Sequence, residues 1–404
     1  MTSSGAQITT TLLLSISAVL LTSSTGCQTI RDRQDVRPLV MRDVPAQRLA
    51  FRLEPDISLP GELANQELPT KLEAIQTDFE TRRPEEALLR TVISPDKLRA
   101  LALYGTESDP SAAFRIDLYS ADGKFLRNLI PPDLNCLFPE TVAWSPDGNY
   151  ITFIARKGEK PTPTPTPTPP PVIDVVPMPL PSPTPSVAPA FPTIPMYSTE
   201  QVYICNRDGF DLRPLTSREG LIYFYFDWAP DSHALVAMAC TESEWGVREK
   251  AYRLPAGRPR LINLDGSERL LDDDLTDVLP VWSTDSSKVA SAFDQITDQK
   301  LQVAIYDAAS SKPTQARIPL YDALVKASVV YEEKQAGDKG KPTEQGTSQS
   351  NIPASFNPIV RLEWPMPERL YFQTAYVRLM PNETINTFQR WHLLNLSAQA
   401  AVLR

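Results

Sequence analysis

The chain has 404 residues, of which 42% are apolar and 22% charged, so most of it is predicted to be globular with a sizeable core. The formal net charge of −9 argues against a nucleic-acid partner, because such a partner is bound by neutralising its phosphates. Proline is abundant at 40 residues and glycine is scarce at 15.

The first 26 residues are predicted to be an export signal. An apolar stretch from Leu12 to Leu21 is too short to span a bilayer, which takes roughly 20 residues, and small polar residues follow it. The run SSTGC at 23–27 resembles a bacterial lipoprotein signal, which implies a lipid anchor at Cys27 and a periplasmic or cell-surface location. The alternative is a plain secretory signal in which this cysteine occurs by chance.

Two segments precede the part of the chain that repeats. Residues 27–60 are charged and dotted with proline, and are interpreted as a tether. Residues 61–90 carry a weakly helical pattern around KLEAIQTDF. This second segment is assigned either to a strand that closes the fold or to a partial repeat.

From about residue 91 to the C-terminus the sequence repeats itself, and each repeat has two halves. The first half contains an Asp turn between apolar strands and occurs as VISPDKLRALALYG (92–105), VAWSPDGNYITFIA (142–155), FDWAPDSHALVAMA (226–239), PVWSTDSSKVASAF (280–293) and, in degenerate form, LEWPMPERLYFQTA (362–375). Apolar residues alternate after each turn, which predicts half-buried strands.

The second half of each repeat predicts another strand–turn–strand unit. It occurs as RIDLYSADGKFLRNL (115–129), QVYICNRDGFDLRPLT (201–216), PRLINLDGSERLL (259–271), LQVAIYDAASSKPTQARIPL (301–320) and QRWHLLNLSAQAAVL (389–403). The Asp–Gly pairs of the first three copies are strong hairpin signals, because glycine readily adopts positive φ. The two halves alternate in order, so each full repeat is predicted to be four antiparallel strands.

Four-stranded units at this spacing predict an all-β fold, a β-propeller with five visible blades and room for a sixth. The W-S-P-D-G motif followed by x-D-G-x-x-x-R resembles the TolB-like β-propeller family over residues 91–404. The resemblance implies a binding platform, an envelope scaffold or the gating domain of a peptidase. A missing outer strand is expected to come from the N-terminal side, because an open ring leaves exposed strand edges.

Two low-complexity stretches are predicted to be disordered loop insertions within the propeller, at 160–197 and 332–351. The first contains PTPTPTPTPPP, and a first half-repeat precedes it while a second half-repeat follows it. The tract is therefore interpreted as an insertion between the middle strands of one blade, not as a boundary between domains.

The recurring positions of the repeat are interpreted as structural rather than chemical. They are Trp144, Trp228, Trp282 and Trp364, which are expected to pack between blades, and the turn residues Asp147, Gly148, Asp208, Gly209, Asp265 and Gly266.

No catalytic, cofactor or metal residue is assigned. The chain has two histidines, His233 and His392, and no G-x-S-x-G motif, so no hydrolase constellation is predicted. The acidic run at 272–277 lacks the alternating spacing of a calcium loop. Cys136, Cys205 and Cys240 remain after the signal, an odd number that permits one disulfide at most.

The favoured function is a lipid-anchored, extracytoplasmic module that binds an envelope protein and is not an enzyme. The alternative is an enzyme acting on envelope glycans or peptides through carboxylates in the propeller channel. A third possibility is a surface protein in which the Pro/Thr tract is glycosylated.

Overall fold

The computed structural model describes residues 40–58, 61–64, 72–82, 86–105, 114–158, 199–251, 253–295, 300–309, 311–338, 358–377 and 387–397. The predicted signal at 1–26, the lipid-attachment residue Cys27 and the loop insertion at 160–197 lie outside the described residues.

Within the described residues, the strands form five antiparallel sheets, which we call blades 1 to 5. The chain begins with β1 (Ala50–Ile57). Blade 1 contains β2 (Ala87–Ile93), β3 (Arg99–Gly105), β4 (Arg115–Ser120) and β5 (Phe125–Asn128). Blade 2 contains β6 (Leu134–Leu137), β7 (Ala143–Trp144), β8 (Tyr150–Lys157), β9 (Gln201–Asn206) and β10 (Arg213–Pro214).

The last three blades follow the same order. Blade 3 contains β11 (Leu221–Trp228), β12 (Ala234–Thr241), β13 (Arg258–Asn263) and β14 (Glu268–Leu270). Blade 4 contains β15 (Val281–Trp282), β16 (Lys288–Gln295), β17 (Lys300–Asp307) and β18 (Gln315–Pro319). Blade 5 contains β19 (Ile359–Met366), β20 (Arg369–Val377), β21 (Thr387–Ser397) and, as its outer strand, β1. The fold is a β-propeller.

The hydrophobic core lies between neighbouring blades, because side chains on a strand alternate between its two faces. Leu101 and Leu103 of blade 1 pack with Ile151 and Phe153 of blade 2 in one cluster. Similar clusters join blade 2 to blade 3, blade 3 to blade 4 and blade 4 to blade 5. Each sheet therefore depends on its neighbours for burial.

The proline tract separates two strands of one sheet. β8 and β9 are antiparallel partners from Tyr150↔Asn206 to Ala155↔Gln201, and the chain between them includes residues 159–198, which lie outside the described ranges. The chain thus leaves blade 2 after its second strand and returns to form the third.

The outer strand of blade 5 comes neither from residues 61–90 nor from a hairpin within residues 389–403, the two segments considered for it. The fifth second-half repeat was expected to form a hairpin over 389–403, but β21 pairs with β1 instead, from Ala50↔Ser397 to Ile57↔Trp391. The outer strand thus comes from the N-terminal side, within the segment 27–60 that was assigned to a tether. The residues of β1 do not alternate between apolar and polar, because the strand is exposed or half-buried along its whole length.

Three helices accompany the blades: α1 (Glu73–Arg82), α2 (Glu242–Lys250) and α3 (Tyr321–Asp338), with a single helical turn at Gly61–Ala64. Residues 332–338, predicted to belong to a disordered loop, form the last turns of α3. No helix in the described ranges is long and apolar enough to cross a membrane.

Helix α1 covers the flank of blade 1 that faces away from blade 2. Ile75 of α1 is fully buried against Ala100, Ala102 and Tyr119. The Tyr119 hydroxyl also donates to Asp78 of α1, at 2.8 Å. Residues 61–90, considered as a source of closing strands, therefore supply a helical cover and the start of blade 1.

Candidate functional site

The connections between strands sort onto two faces of the ring. In an antiparallel four-stranded unit the first and third turns lie at one edge, while the second connection and the exit to the next unit lie at the other. The first edge, the turn face, carries the short Asp turns. The second edge, the insertion face, carries α2, α3 and the connection 271–280.

On the turn face, the Asp turns of the first half-repeats are built by one hydrogen-bond pattern. The Ser145 hydroxyl donates to Asp147 at 2.6 Å and accepts the Tyr150 N–H at 2.9 Å. The same pair of bonds recurs at Ser94 and Ser283. The fourth turn position has positive φ in each copy, at Lys97, Gly148, Ser232 and Ser286.

These turns also join adjacent blades. The Asp147 N–H of blade 2 donates to the Ser232 hydroxyl of blade 3, at 3.0 Å. The Asp231 N–H of blade 3 donates to the Ser286 hydroxyl of blade 4, at 2.9 Å. The turn residues of the repeat therefore serve as links around the ring.

The glycines of the three Asp–Gly hairpins pack closely against the blade or helix that precedes their own blade in the chain. A Cβ on Gly209 would overlap Leu129 of blade 1, and one on Gly266 would lie 3.3 Å from the Leu215 carbonyl oxygen of blade 2. At Gly123 the neighbour is Ala74 of α1, at 2.5 Å. Helix α1 thus takes the place beside blade 1 that a preceding blade takes elsewhere.

The hairpin aspartates have different surroundings. Arg99 of blade 1 donates to Asp208 in a close ion pair between blades 1 and 2. Asp265 accepts the Ser267 N–H at 2.8 Å within its own turn.

The four repeat tryptophans lie between 5% and 7% exposed, at blade interfaces. Three of them donate their indole N–H to the preceding blade: Trp144 to the Val92 carbonyl, Trp228 to the Thr152 hydroxyl and Trp282 to the Asp227 carbonyl. Trp364 donates to the Pro367 carbonyl of its own blade, at 3.2 Å. Their buried positions do not form a stacking surface for a ligand.

The insertion face carries a helix on blade 3 with exposed apolar side chains. Thr241 and Glu244 form a capping box at the start of α2, and Arg258 of β13 holds Glu244 through two bonds of 2.9 Å. Trp245 packs against the ring of Phe224, at 5.7 Å between centroids. On and beside this anchored helix, Val247 is 68% and Leu254 73% exposed.

The acidic run at 272–277 is engaged by arginines. Asp272 accepts from Arg317 at 2.6 Å and also from the Tyr306 hydroxyl. Asp277 accepts from Arg248 of α2 at 2.7 Å, which ties the run to the helix. Across the described ranges, no group of three or more His, Cys, Asp or Glu side chains is arranged to hold a metal ion.

The residue just before each tryptophan position forms a layer in the channel wall. The five members share a half-buried environment near the turn face: Val92, Ala143, Asp227, Val281 and Glu363. Three are apolar and two are acidic. Asp227 and Glu363 come from blades 3 and 5, and the charge of Glu363 acts on the Asp227 carboxyl group.

Electrostatics distinguish the two channel carboxylates. Burial raises the pKa of Asp227 to about 6, the Trp228 N–H opposes the rise, and the Glu363 charge adds to it. Glu363 is paired with Arg361, at 2.6 Å. Burial, followed by the charges of Asp227 and Glu363, also raises the pKa of the neighbouring Tyr225. The pKa of Asp227 thus lies close to neutral pH, whereas Glu363 has a cationic partner.

Sequence reasoning did not find these two carboxylates, although it proposed that an enzyme would use the channel. A signal was present, because aspartate and glutamate occupy a repeat position that is apolar in the other copies. Only the ring arrangement brings residues so distant in sequence together.

The histidines and cysteines lie apart from the channel layer. The His233 side chain is 84% exposed and its ring nitrogen lies 2.7 Å from the Asp231 carbonyl oxygen. His392 is buried in blade 5. Cys136, Cys205 and Cys240 are free and buried, and burial raises the pKa of Cys205 to about 12 and of Cys240 to about 11.

Comparisons with known proteins found similar solved structures only. No family model matches the sequence, and no curated protein matches it. Among solved structures, an oligogalacturonate lyase in complex with manganese is 11% identical with a TM-score of 0.37, over 78% of this chain and 66% of that chain. The N-terminal domain of Nup159 is also 11% identical with a TM-score of 0.37, over 87% and 66%.

A third similar structure belongs to a longer enzyme. Prolyl oligopeptidase B from Galerina marginata is 10% identical with a TM-score of 0.41, over 74% of this chain and 34% of that chain. The chain thus spans about a third of the oligopeptidase and just under two thirds of the lyase. At these identities and TM-scores the similarity carries no argument about function. The class, a β-propeller protein, is defined by the four-stranded blades described above.

Proposed function

We propose that this chain is a TolB-like, lipid-anchored, extracytoplasmic β-propeller that binds a protein partner as a scaffold module of the cell envelope. The observation that carries the proposal is the asymmetry between the two faces of the ring. The turn face consists of short turns that link the blades, and its exposed apolar residues Leu98 and Phe210 lie on two separate turns. The insertion face presents an anchored helix, with Val247 on it and Leu254 beside it both exposed. Exposed apolar groups on a rigid support are characteristic of protein-binding surfaces.

The anchoring of α2 supports this assignment. Its N-terminus is capped, its Glu244 is held by Arg258, and its Arg248 binds Asp277 at 2.7 Å. These contacts hold the helix on blade 3 before any partner arrives. Preorganisation of this kind lowers the entropic cost of association.

A photo-crosslinking amino acid placed on each face tests the proposal. Val247 on the insertion face and Leu98 on the turn face are 68% and 60% exposed, so the two positions are matched in accessibility. We expect one specific envelope protein to be crosslinked in cells from position 247 and not from position 98. Equal adducts from both positions, or none from 247, would refute the insertion face as the binding surface.

The lipid anchor is tested separately. We propose that Cys27 carries the lipid, so a Cys27→Ala chain should lose metabolic labelling by a fatty acid and should leave the membrane fraction. Retention of label in that variant would place the lipid elsewhere.

The second candidate function is an enzyme acting on envelope glycans or peptides. It is favoured by one observation, the pKa of Asp227, which burial and the charge of Glu363 raise to about 6. Turnover of an envelope glycan or peptide by the wild-type chain, lost in both Asp227→Asn and Glu363→Gln, would support it. Turnover that survives both substitutions would exclude a channel carboxylate site.

A further inference from the structure

Blade 5 is completed at a seam between the two ends of the described chain. β1 pairs with β21 in regular register from Ala50↔Ser397 to Glu54↔Leu393, and the register then shifts before Ile57↔Trp391. Asp56 lies at this shift with a φ of 56°, a left-handed conformation that a non-glycine residue rarely adopts. Such a conformation needs support from its surroundings.

Two residues of β21 supply that support. Arg390 donates from Nε and one terminal nitrogen to the two carboxylate oxygens of Asp56, at 2.5 and 2.6 Å. The Asp56 backbone N–H donates to His392 Nδ1, at 3.2 Å. Arg390 also donates to the Ser328 hydroxyl of α3, at 3.0 Å, so the helix supports the contact from outside the sheet.

His392 can make its contact only in the neutral form. Since Nδ1 accepts the Asp56 N–H, the proton of the neutral ring is assigned to Nε2, which then donates to the Thr374 hydroxyl at 2.9 Å. The ring is 1% exposed and stacks on Phe372, with centroids 4.9 Å apart. A second proton would turn Nδ1 into a donor facing another donor, inside the sheet.

We propose that the seam between β1 and β21 is an acid-sensitive latch, which protonation of His392 releases. The charged groups facing the imidazole are Asp56 from β1, which favours the cation, and Arg390 from β21, which disfavours it. β20 contributes the uncharged Thr374 and Phe372, and α3 reaches the site through Arg390. Burial outweighs the attraction of the single carboxylate.

The sign and size of the effect follow from linkage. In the closed seam, burial lowers the pKa of His392 from 6.5 to about 4. The stability that the neutral ring gives to closure is therefore complete above pH 6.5 and is lost as the pH falls towards 4. Between pH 7.5 and pH 4.5 the ratio of open to closed seam should rise about 70-fold on this account.

Release would free one strand edge and leave the other blades intact. Among the described strands β1 pairs with β21 alone, so its departure exposes the backbone donors and acceptors of β21 from Trp391 to Ser397. Blades 1 to 4 keep all of their own strands. Opening is thus local, and it does not depend on the partner proposed above.

Hydrogen exchange on the full chain tests the latch. Protection factors, corrected for the intrinsic pH dependence of exchange, are compared at pH 7.5 and 4.5 for peptides covering 50–57, 387–397 and, as an internal reference, 234–241. We expect protection of the first two to fall about 70-fold relative to the reference. The neutral variant His392→Asn keeps an acceptor for the Asp56 N–H and should abolish the fall, while His233→Asn, at the exposed site, should not change it.

The titration of the wild-type chain gives a second measurement if His392→Asn fails to fold. The chain has two histidines, so its proton NMR spectrum contains two imidazole signals, and His233→Asn assigns them. The latch requires that the His392 signal titrate near pH 4 and that protection at 50–57 fall below pH 6.5 and level off near that midpoint. A His392 midpoint near 6.5 with the seam closed, or an equal loss of protection in wild type and His392→Asn, would overturn the proposal.

Discussion

Replacing Gly209 by alanine tests whether the Asp–Gly hairpins are packing sites between blades or only turns. Two costs are expected. The backbone at Gly209 has a φ of 76°, where an alanine Cβ is disfavoured by about 1–2 kcal/mol, partly offset by the lower entropy of the unfolded chain. The new Cβ would also overlap Leu129 and lie 3.0 Å from Arg127 Cδ. Leu129 is 5% exposed and has little space to move.

Gly220 is the matched control, because it separates the two costs. It has a φ of 77°, and a Cβ there would meet no atom within 4 Å. Gly220→Ala should therefore lose about 1 kcal/mol of unfolding free energy, from the backbone alone. Gly209→Ala should lose about 2–4 kcal/mol, since overpacking a buried site adds about 1–3 kcal/mol.

Urea unfolding followed by tryptophan fluorescence measures the difference, because four of the six tryptophans lie at blade interfaces. Comparing two single variants in one chain removes most of the uncertainty of the extrapolation to water. If Gly209→Ala and Gly220→Ala lose the same free energy within about 0.5 kcal/mol, the contact between the hairpin and the preceding blade does not contribute to stability, and the packing argument is wrong.

Two further substitutions test the turn chemistry and the channel. Ala229→Ser introduces the serine found in three other turns, and its hydroxyl should donate to Asp231. We expect the free energy of unfolding, measured in a thermal or urea melt, to rise by about 1 kcal/mol. A fall would show that the buried site has no room for the oxygen. Asp227→Asn should be more stable than wild type at pH 8 by up to about 3 kcal/mol, with the difference vanishing by pH 4. Because the pKa of Asp227 is raised from 3.8 to about 6 in the folded state, the wild-type chain loses stability as the pH rises between these values. A difference in unfolding free energy between the two chains that does not vary with pH would contradict this.

The all-β, four-stranded organisation could be predicted because it repeats. Each half-repeat combines a turn with its own hydrogen-bond chemistry and a period of two in its apolar residues, and both signals are local. The two halves of blade 2 could be assigned to one blade despite the proline tract between them for the same reason. The turn at Asp147 identifies the first half and the turn at Asp208 the second.

The elements that do not repeat were harder to predict. β1 has no alternating apolar pattern, because an outer strand with both faces largely exposed needs none, and the segment was assigned to a tether. Helix α2 contains no buried residue and is held by polar contacts, although its Thr241–Glu244 capping box was readable. Asp227 and Glu363 acquire their relation only when the ring brings blades 3 and 5 together.

The seam also imposes an order on folding. β1 is the first of the described strands and its partner β21 is the last, and Asp56 and His392 are 336 residues apart in the chain. Contacts of such long sequence separation form slowly, because the entropy of closing the loop is lost before any pairing is gained. The other blades can assemble from neighbouring segments while β1 waits unpaired. A chain that stops before residue 387 therefore leaves β1 without its partner, and blade 5 can be completed only after residues 387–397 have been synthesised.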